Sequence, residues 1–271
     1  MREKSLTIRG EKYGIPAVMA FPDAAGVFPA VVFCHGTGAD KNEVENIFGR
    51  LAAALAVRGV ASMRFDFAGC GDSRADPMLL TFKNETADLD AVFDFLTRQP
   101  EIDAKRAGVL GFSQGARVMA DFLGRRADRV SAAVSWSGAC ARGDDDVFEK
   151  WRARYYADAV KNGYALLPST WRDDLMLPKD WFDEIRASRP LESLARYTGA
   201  LLVVAGTADD LVPWTHAAEI AAAAGGTDKT VKVFDGATHI FNATDPARDV
   251  SDDVVDLTAD FFEKRLNGKT V

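Results

Sequence analysis

Apolar and polar positions alternate near the start of the chain, in "SLTIRG" and "IPAVMAFP", around a polar turn at Glu11 to Gly14. Period-two patterning bounded by turn residues predicts two strands. The pattern then changes. "PAVVFCHG" is apolar without alternation, as expected of a strand covered on both faces. Val44, Ile47, Phe48, Leu51 and Leu55 recur at helical spacing over residues 44–58, and Gly59 stops that helix. "VASMRFDF" predicts another buried strand, followed by the glycine loop "AGCGDS".

The same alternation runs on. Helices are predicted over residues 82–98 (Leu89, Val92, Phe93, Leu96), in "QGARVMADFLGRR", in "HAAEIAAAAGG" and over residues 250–266 (Val254, Leu257, Phe261, Phe262, Leu266). Strands are predicted in "AGVLGF", "VSAAVSWSG", "ALLVVAGT" and "TVKVFDGA". Strand and helix in turn imply βαβ units: an α/β fold with a mostly parallel central sheet and helices on both faces. Ligands of such sheets sit outside the carboxyl ends of the strands, so chemistry is sought there.

One segment breaks the rhythm. Residues 139–199 show no clear strand but hold three of the five tryptophans and four of the five tyrosines. A crossover needs only about a dozen residues. The segment is therefore read as an insertion, either a lid or a helical excursion with a small core of its own. The expected organisation is a core of residues 1–139 and 197–271 with an inserted cap over 140–196.

At the junction inside "VLGFSQGARV", Ser113 stands between Gly111 and Gly115. A hydroxyl is a weak nucleophile unless it is exposed, fixed and next to a base. A sharp strand-to-helix turn projects it clear of the sheet, and neighbours without a Cβ relieve the crowding. The same turn leaves the Gln114 backbone N–H at a helix N-terminus, where it can donate to an oxyanion. The base follows by elimination among three histidines. His35 precedes the serine and is read as a group under the next loop. His216 shares a loop with the candidate acid. His239, past the last predicted strand, is the choice. After "ALLVVAGT" two acids adjoin, Asp209 and Asp210; Asp209 is preferred as the imidazole's partner, with Asp210 as the alternative. The loop "HGTGADKNE" suits a second oxyanion donor, the N–H of Thr37.

The stretches "VVFCHGTGADKNE", "GVASMRFDFAGCGDS", "VLGFSQGARV", "VAGTADDLVP" and "GATHIF" together resemble an α/β-hydrolase-fold serine esterase, nearest to bacterial cinnamoyl and feruloyl esterases. The resemblance spans nearly the whole chain and is weakest between 140 and 196. It places the acid of "G-x-x-D-x-x-V-P" on Asp209 and the histidine of "H-x-F" on His239. It departs at Phe112, where a histidine is common before the nucleophile, at Ala116, where a glycine is common, and at Cys70, where a histidine is common. It implies an aromatic-binding insertion after the sixth strand of the large sheet. Trp151, Tyr155, Trp171 and Trp181 are the candidate substrate-binding residues in that lid-like helical insertion.

Composition narrows the partners. A net charge of -7 argues against nucleic acid and anionic membranes. Cys34, Cys70 and Cys140 have no CxxC spacing, so neither a disulfide framework nor a zinc site is expected. Free thiols and the lack of an apolar N-terminal segment point to the cytoplasm. No run approaches the roughly 18 apolar residues of a membrane span. Ester cleavage by such a triad requires no metal or organic cofactor. The expected partner is a small-molecule ester, and a homodimer is entertained as the assembly with nothing in the sequence to fix it. Acyl-peptide or peptide hydrolysis, thioester hydrolysis, perhydrolysis, and a non-catalytic small-ligand receptor remain alternatives on the same residues.

Overall fold

Why the apolar runs lack alternation is plain from the layers they occupy. In the computed structural model, which describes residues 1–141, 146–169 and 172–268, β1 (Arg2–Arg9) and β2 (Gly14–Phe21) form an antiparallel hairpin. Next come β3 (Phe28–Cys34), α1 (Ile47–Val57), β4 (Ala61–Phe65), α2 (Phe82–Thr97), β5 (Ile102–Phe112), α3 (Gln114–Arg126) and β6 (Ala132–Trp136). Beyond the insertion lie β9 (Ala200–Gly206), α7 (His216–Ala223), β10 (Lys229–Phe234) and α8 (Ser251–Leu266). Among the described residues the large sheet has eight strands in the order β1-β2-β4-β3-β5-β6-β9-β10. Only β2 runs against its neighbours; all other pairings are parallel.

Each central strand faces two cores, and its residues divide between them with the two-residue period of a pleated strand. On β9, Leu201, Val203 and Ala205 join one cluster, while Ala200, Leu202 and Val204 join the other. On β3, Ala30, Val32 and Cys34 separate in the same way from Val31 and Phe33. The helices α1 and α8 cover the second face through Phe48, Leu51, Leu55, Val254 and Phe262. Residues of α2, α3 and α7 cover the first. Both sides of β3 and β9 being apolar, no polar residue interrupts either run.

The inserted segment carries α4 (Asp146–Asn162), β7 (Tyr164–Leu167), β8 (Leu175–Pro178), α5 (Lys179–Ala187) and α6 (Pro190–Leu194). The strands β7 and β8 pair as an antiparallel hairpin that the sequence pattern does not reveal; four residues are too few to establish a period. The insertion does not keep a separate core. Leu167, Leu177, Phe182, Ile185 and Leu194 belong to the same cluster as the first face of the large sheet. No helix among the described residues is long and apolar enough to cross a membrane.

Candidate active site

The turn from β5 into α3 brings the chain sharply out of the sheet. Ser113 has φ 53° and ψ -117°, a left-handed conformation that L side chains seldom adopt. Strain of this kind persists where the surroundings hold it. Here the Ser113 N–H donates to the Trp136 carbonyl at 2.9 Å, and the Ser113 carbonyl accepts from the N–H groups of Ala116 and Ala139. A Cβ on Gly111 would overlap the backbone of Gly115 and Ala116, and one on Gly115 would overlap the Cys34 carbonyl. Gly115→Ala is therefore expected to destabilise by about 1–3 kcal/mol or more through overpacking against rigid backbone. For a chain of this size that lowers the melting temperature by about 2–4 °C per kcal/mol, readable by calorimetry.

The loop after β9 supplies the acid. Asp209 Oδ1 accepts the N–H groups of Leu211 (2.9 Å) and Val212 (2.8 Å), which fixes the carboxylate. Its Oδ2 stands 2.8 Å from His239 Nδ1. The Asp209 side chain is 1% exposed and that of His239 10%. A carboxylate so placed holds the proton on Nδ1 and leaves Nε2 free to accept one. Asp210 is exposed and does not meet the imidazole.

The loop carrying His239 is itself braced. Asn242 Oδ1 accepts the Thr238 N–H, and Asn242 Nδ2 donates to the carbonyls of Gly236 and Arg248. Ser137 Oγ donates to the His239 carbonyl at 2.9 Å. Phe112 stacks on the imidazole, with centroids 5.3 Å apart and planes 27° apart. The same ring packs edge-on against Trp136 and near Phe241. Neither Ser137 nor Asn242 had a signal in the sequence beyond polar residues next to strand ends.

His35 is buried and engaged at both ring nitrogens. Its Nε2 accepts the Phe67 N–H at 3.1 Å, which places the ring proton on Nδ1, and Nδ1 lies 2.8 Å from the Gly36 carbonyl. Burial lowers its pKa and keeps it neutral. The Gly36 carbonyl also accepts the Ala39 N–H at 3.2 Å. In a trans peptide the N–H points opposite to the carbonyl. Holding the Gly36 carbonyl toward His35 and Ala39 therefore turns the Thr37 N–H the other way. Gln114 opens α3, where first-turn N–H groups have no partner within the helix. Its side-chain Nε2 donates to Glu85 Oε2 at 3.1 Å.

Ser113, Gln114, Thr37 and His239 share one cavity of about 650 Å³. Its far wall is aromatic and comes from the insertion: Phe148 and Trp151 of α4, Trp181 and Ile185 of α5. Opposite stand Leu211, Val212 and His216, and the loop from Asp40 to Glu45 forms a further side. Two of the four expected substrate-binding residues, Trp151 and Trp181, thus face the cavity. Tyr155 does not line it; one helical turn beyond Trp151, it packs edge-on against that ring at 6.4 Å. Trp171 lies outside the described residues. Phe148 and Ile185 were not foreseen. Arg117 of α3 reaches up from the cavity floor. Its guanidinium donates to the Ala141 carbonyl and to Ser188 Oγ, near the two ends of the insertion.

The three thiols are buried, and burial pushes Cys140 up to about 12 and Cys34 and Cys70 well above the usual range. No group of acids, histidines and cysteines among the described residues is arranged to hold a metal.

The model of the alpha/beta hydrolase family matches residues 31–253. The chain belongs to that family. This alpha/beta hydrolase is 26% identical over 219 residues to esterase EstD of Thermotoga maritima, an alignment covering 76% of the chain and 52% of that protein. The chain thus spans about half the length of that relative. In fold it is similar to Est1E from Butyrivibrio proteoclasticus, solved with ferulic acid bound, at a TM-score of 0.77 and 18% identity, covering 97% of this chain and 99% of that one. It is likewise similar to the hydrolase GrgF from Penicillium sp. sh18, at a TM-score of 0.80 and 12% identity over 98% of this chain and 100% of that one.

Proposed function

We propose that this alpha/beta hydrolase is a serine esterase that cleaves carboxylic esters through an acyl-enzyme. The observation that carries the reading is the 2.8 Å contact of Asp209 with His239 Nδ1, on the same cavity as a serine held in a strained elbow. Ser113 Oγ attacks the ester carbonyl while His239 Nε2 takes its proton. Asp209 keeps the imidazole in the needed tautomer and stabilises the imidazolium. The N–H groups of Thr37 and Gln114 receive the charge that develops on the carbonyl oxygen. Collapse expels the alcohol, which leaves with the proton from His239. Water, deprotonated by the same imidazole, then releases the acid and restores Ser113.

The acyl group is an aryl or hydroxycinnamoyl chain. Four apolar or aromatic residues of segment 140–196 face the nucleophile across the cavity, so that segment serves as a cap that supplies the acyl pocket. The ferulic acid bound to Est1E supports the same class.

A fluorophosphonate probe is expected to label Ser113. A panel of nitrophenyl and methyl esters from acetyl to feruloyl is expected to give the highest kcat/KM on the aryl acyl chains. Lack of labelling rejects the serine mechanism; a maximum at acetyl with no cinnamate turnover rejects the aryl assignment alone.

A further inference from the structure

Glu43 is a carboxyl group that the triad does not use, yet it forms part of the cavity wall with Ser113. Its Oε1 accepts the Gly36 N–H at 2.5 Å, and Oε2 lies 3.4 Å from the Val44 N–H. Gly36 is wedged between this carboxyl and the nucleophile. A Cβ there would meet Ser113 Cβ at 3.3 Å and Glu43 Oε1 at 3.4 Å. Gly36 is thus held on both sides: the N–H of the His35–Gly36 peptide by Glu43, and the carbonyl of the Gly36–Thr37 peptide by His35 and Ala39. The next N–H along the chain is that of Thr37.

The backbone is bent to put Glu43 there. Glu43, Glu45 and Asn46 have φ of 59°, 47° and 52°, three left-handed residues without a glycine among them. Strain concentrated in this way marks a position fixed by its surroundings.

Resting on the esterase reading, we propose that Glu43 is a positioning residue of the oxyanion hole, holding the His35–Gly36 peptide as a neutral carboxylic acid and through Gly36 fixing the Thr37 N–H that follows, and that its ionisation switches the hole off. An anion beside the developing oxyanion opposes the charge that the hole exists to stabilise. A unit charge a few ångströms away, partly screened, slows such a step about tenfold or more.

The surroundings favour the neutral form. Glu43 is half-buried at the cavity wall, and desolvation there pushes its carboxyl up to about 8. The N–H groups of Gly36 and Val44 pull the other way, and Asp40 adds to the rise. The charged and titratable groups around it are Asp40 and Glu45 on its own loop, His35 behind Gly36, Arg117 on α3, and His239 and His216 across the cavity. Lys41 gives no compensation, because its ammonium is bound by Asp66 and Asp72 at 2.7 Å each. An apolar acyl chain in the cavity would exclude water and strengthen the preference.

The test is the pH dependence of kcat and KM for a nitrophenyl ester, between pH 6 and 10, in the wild type, E43Q and E43A. In the wild type, kcat/KM is expected to fall about tenfold on the alkaline side with a midpoint near 8, as Glu43 of the free enzyme loses its proton, and kcat to fall similarly at a higher pH, where the bound acyl chain has raised that midpoint. In E43Q, which cannot ionise, kcat at pH 7 drops about three- to tenfold but the alkaline fall disappears; in E43A kcat drops further, with KM nearly unchanged. Superimposable pH profiles for the wild type and E43Q overturn the proposal. If E43Q does not fold, the Glu43 carboxyl is titrated directly in the wild type by carbon NMR; a midpoint in the ordinary carboxylate range overturns it equally. Fluorophosphonate labelling of Ser113 in each protein separates the two ideas. An unlabelled wild type ends the esterase reading and this proposal with it, whereas labelling with unaltered pH profiles ends this proposal alone.

Discussion

Replacing Ser113 with alanine is expected to lower kcat on any ester the wild type hydrolyses by about a million-fold, leaving a rate still above that of water. The substitution removes the oxygen that forms the acyl bond. It leaves in place the Asp209–His239 contact, the strained turn and the cavity. Substrate binding should therefore persist, and equilibrium dialysis of a slow ester against the variant should give a dissociation constant at or above the wild-type KM, which rapid acylation pulls below the true binding constant. Rapid mixing should lose the stoichiometric burst of alcohol that precedes steady turnover. A burst that survives in Ser113→Ala refutes the assignment of the nucleophile.

Asp209→Asn should lower kcat about ten-thousandfold. The amide oxygen can keep the turn bonds from Leu211 and Val212, now made to Oδ1. The amide nitrogen then faces His239 Nδ1 and donates to it. The ring proton is driven to Nε2, where the base has to be vacant. The fold survives and the tautomer is wrong. Asp210→Asn is the control: that carboxylate is exposed and away from the ring, so activity should stay within about twofold. Both variants are read by kcat at saturating ester, with thermal melting to show that the fold is intact. Equal losses in the two would mean that the acid had been placed on the wrong residue of the pair.

The succession of strands and helices along the chain could be anticipated in large part because each central strand is buried on both faces and each covering helix shows its stripe. The elbow was legible for a similar reason. Gly111 and Gly115 are demanded by backbone atoms that would occupy the Cβ position, so the motif is a steric record. The wall of the cavity was harder to read. Trp151 and Tyr155 are one turn apart on α4, and their spacing makes both plausible; only the position of the helix decides that the first faces the cavity and the second backs it. Phe148 and Ile185 are ordinary apolar residues in a segment whose strands are four residues long. Glu43 was hidden most thoroughly. In "ADKNEVEN" it reads as one more solvated charge, and only a left-handed backbone turns it inward.

Arg117 binds Ala141 and Ser188 from the helix that begins at the nucleophile. A single guanidinium thus fastens a point at the start and a point near the end of the aromatic segment to one buried helix. The cavity-facing residues between these anchors can be exchanged as long as Leu167, Leu177, Phe182 and Ile185, which pack into the core of the large sheet, are kept. Grafting such segments between homologues, cut at these two anchor points, offers a route to new acyl preferences on an unchanged hydrolytic chassis.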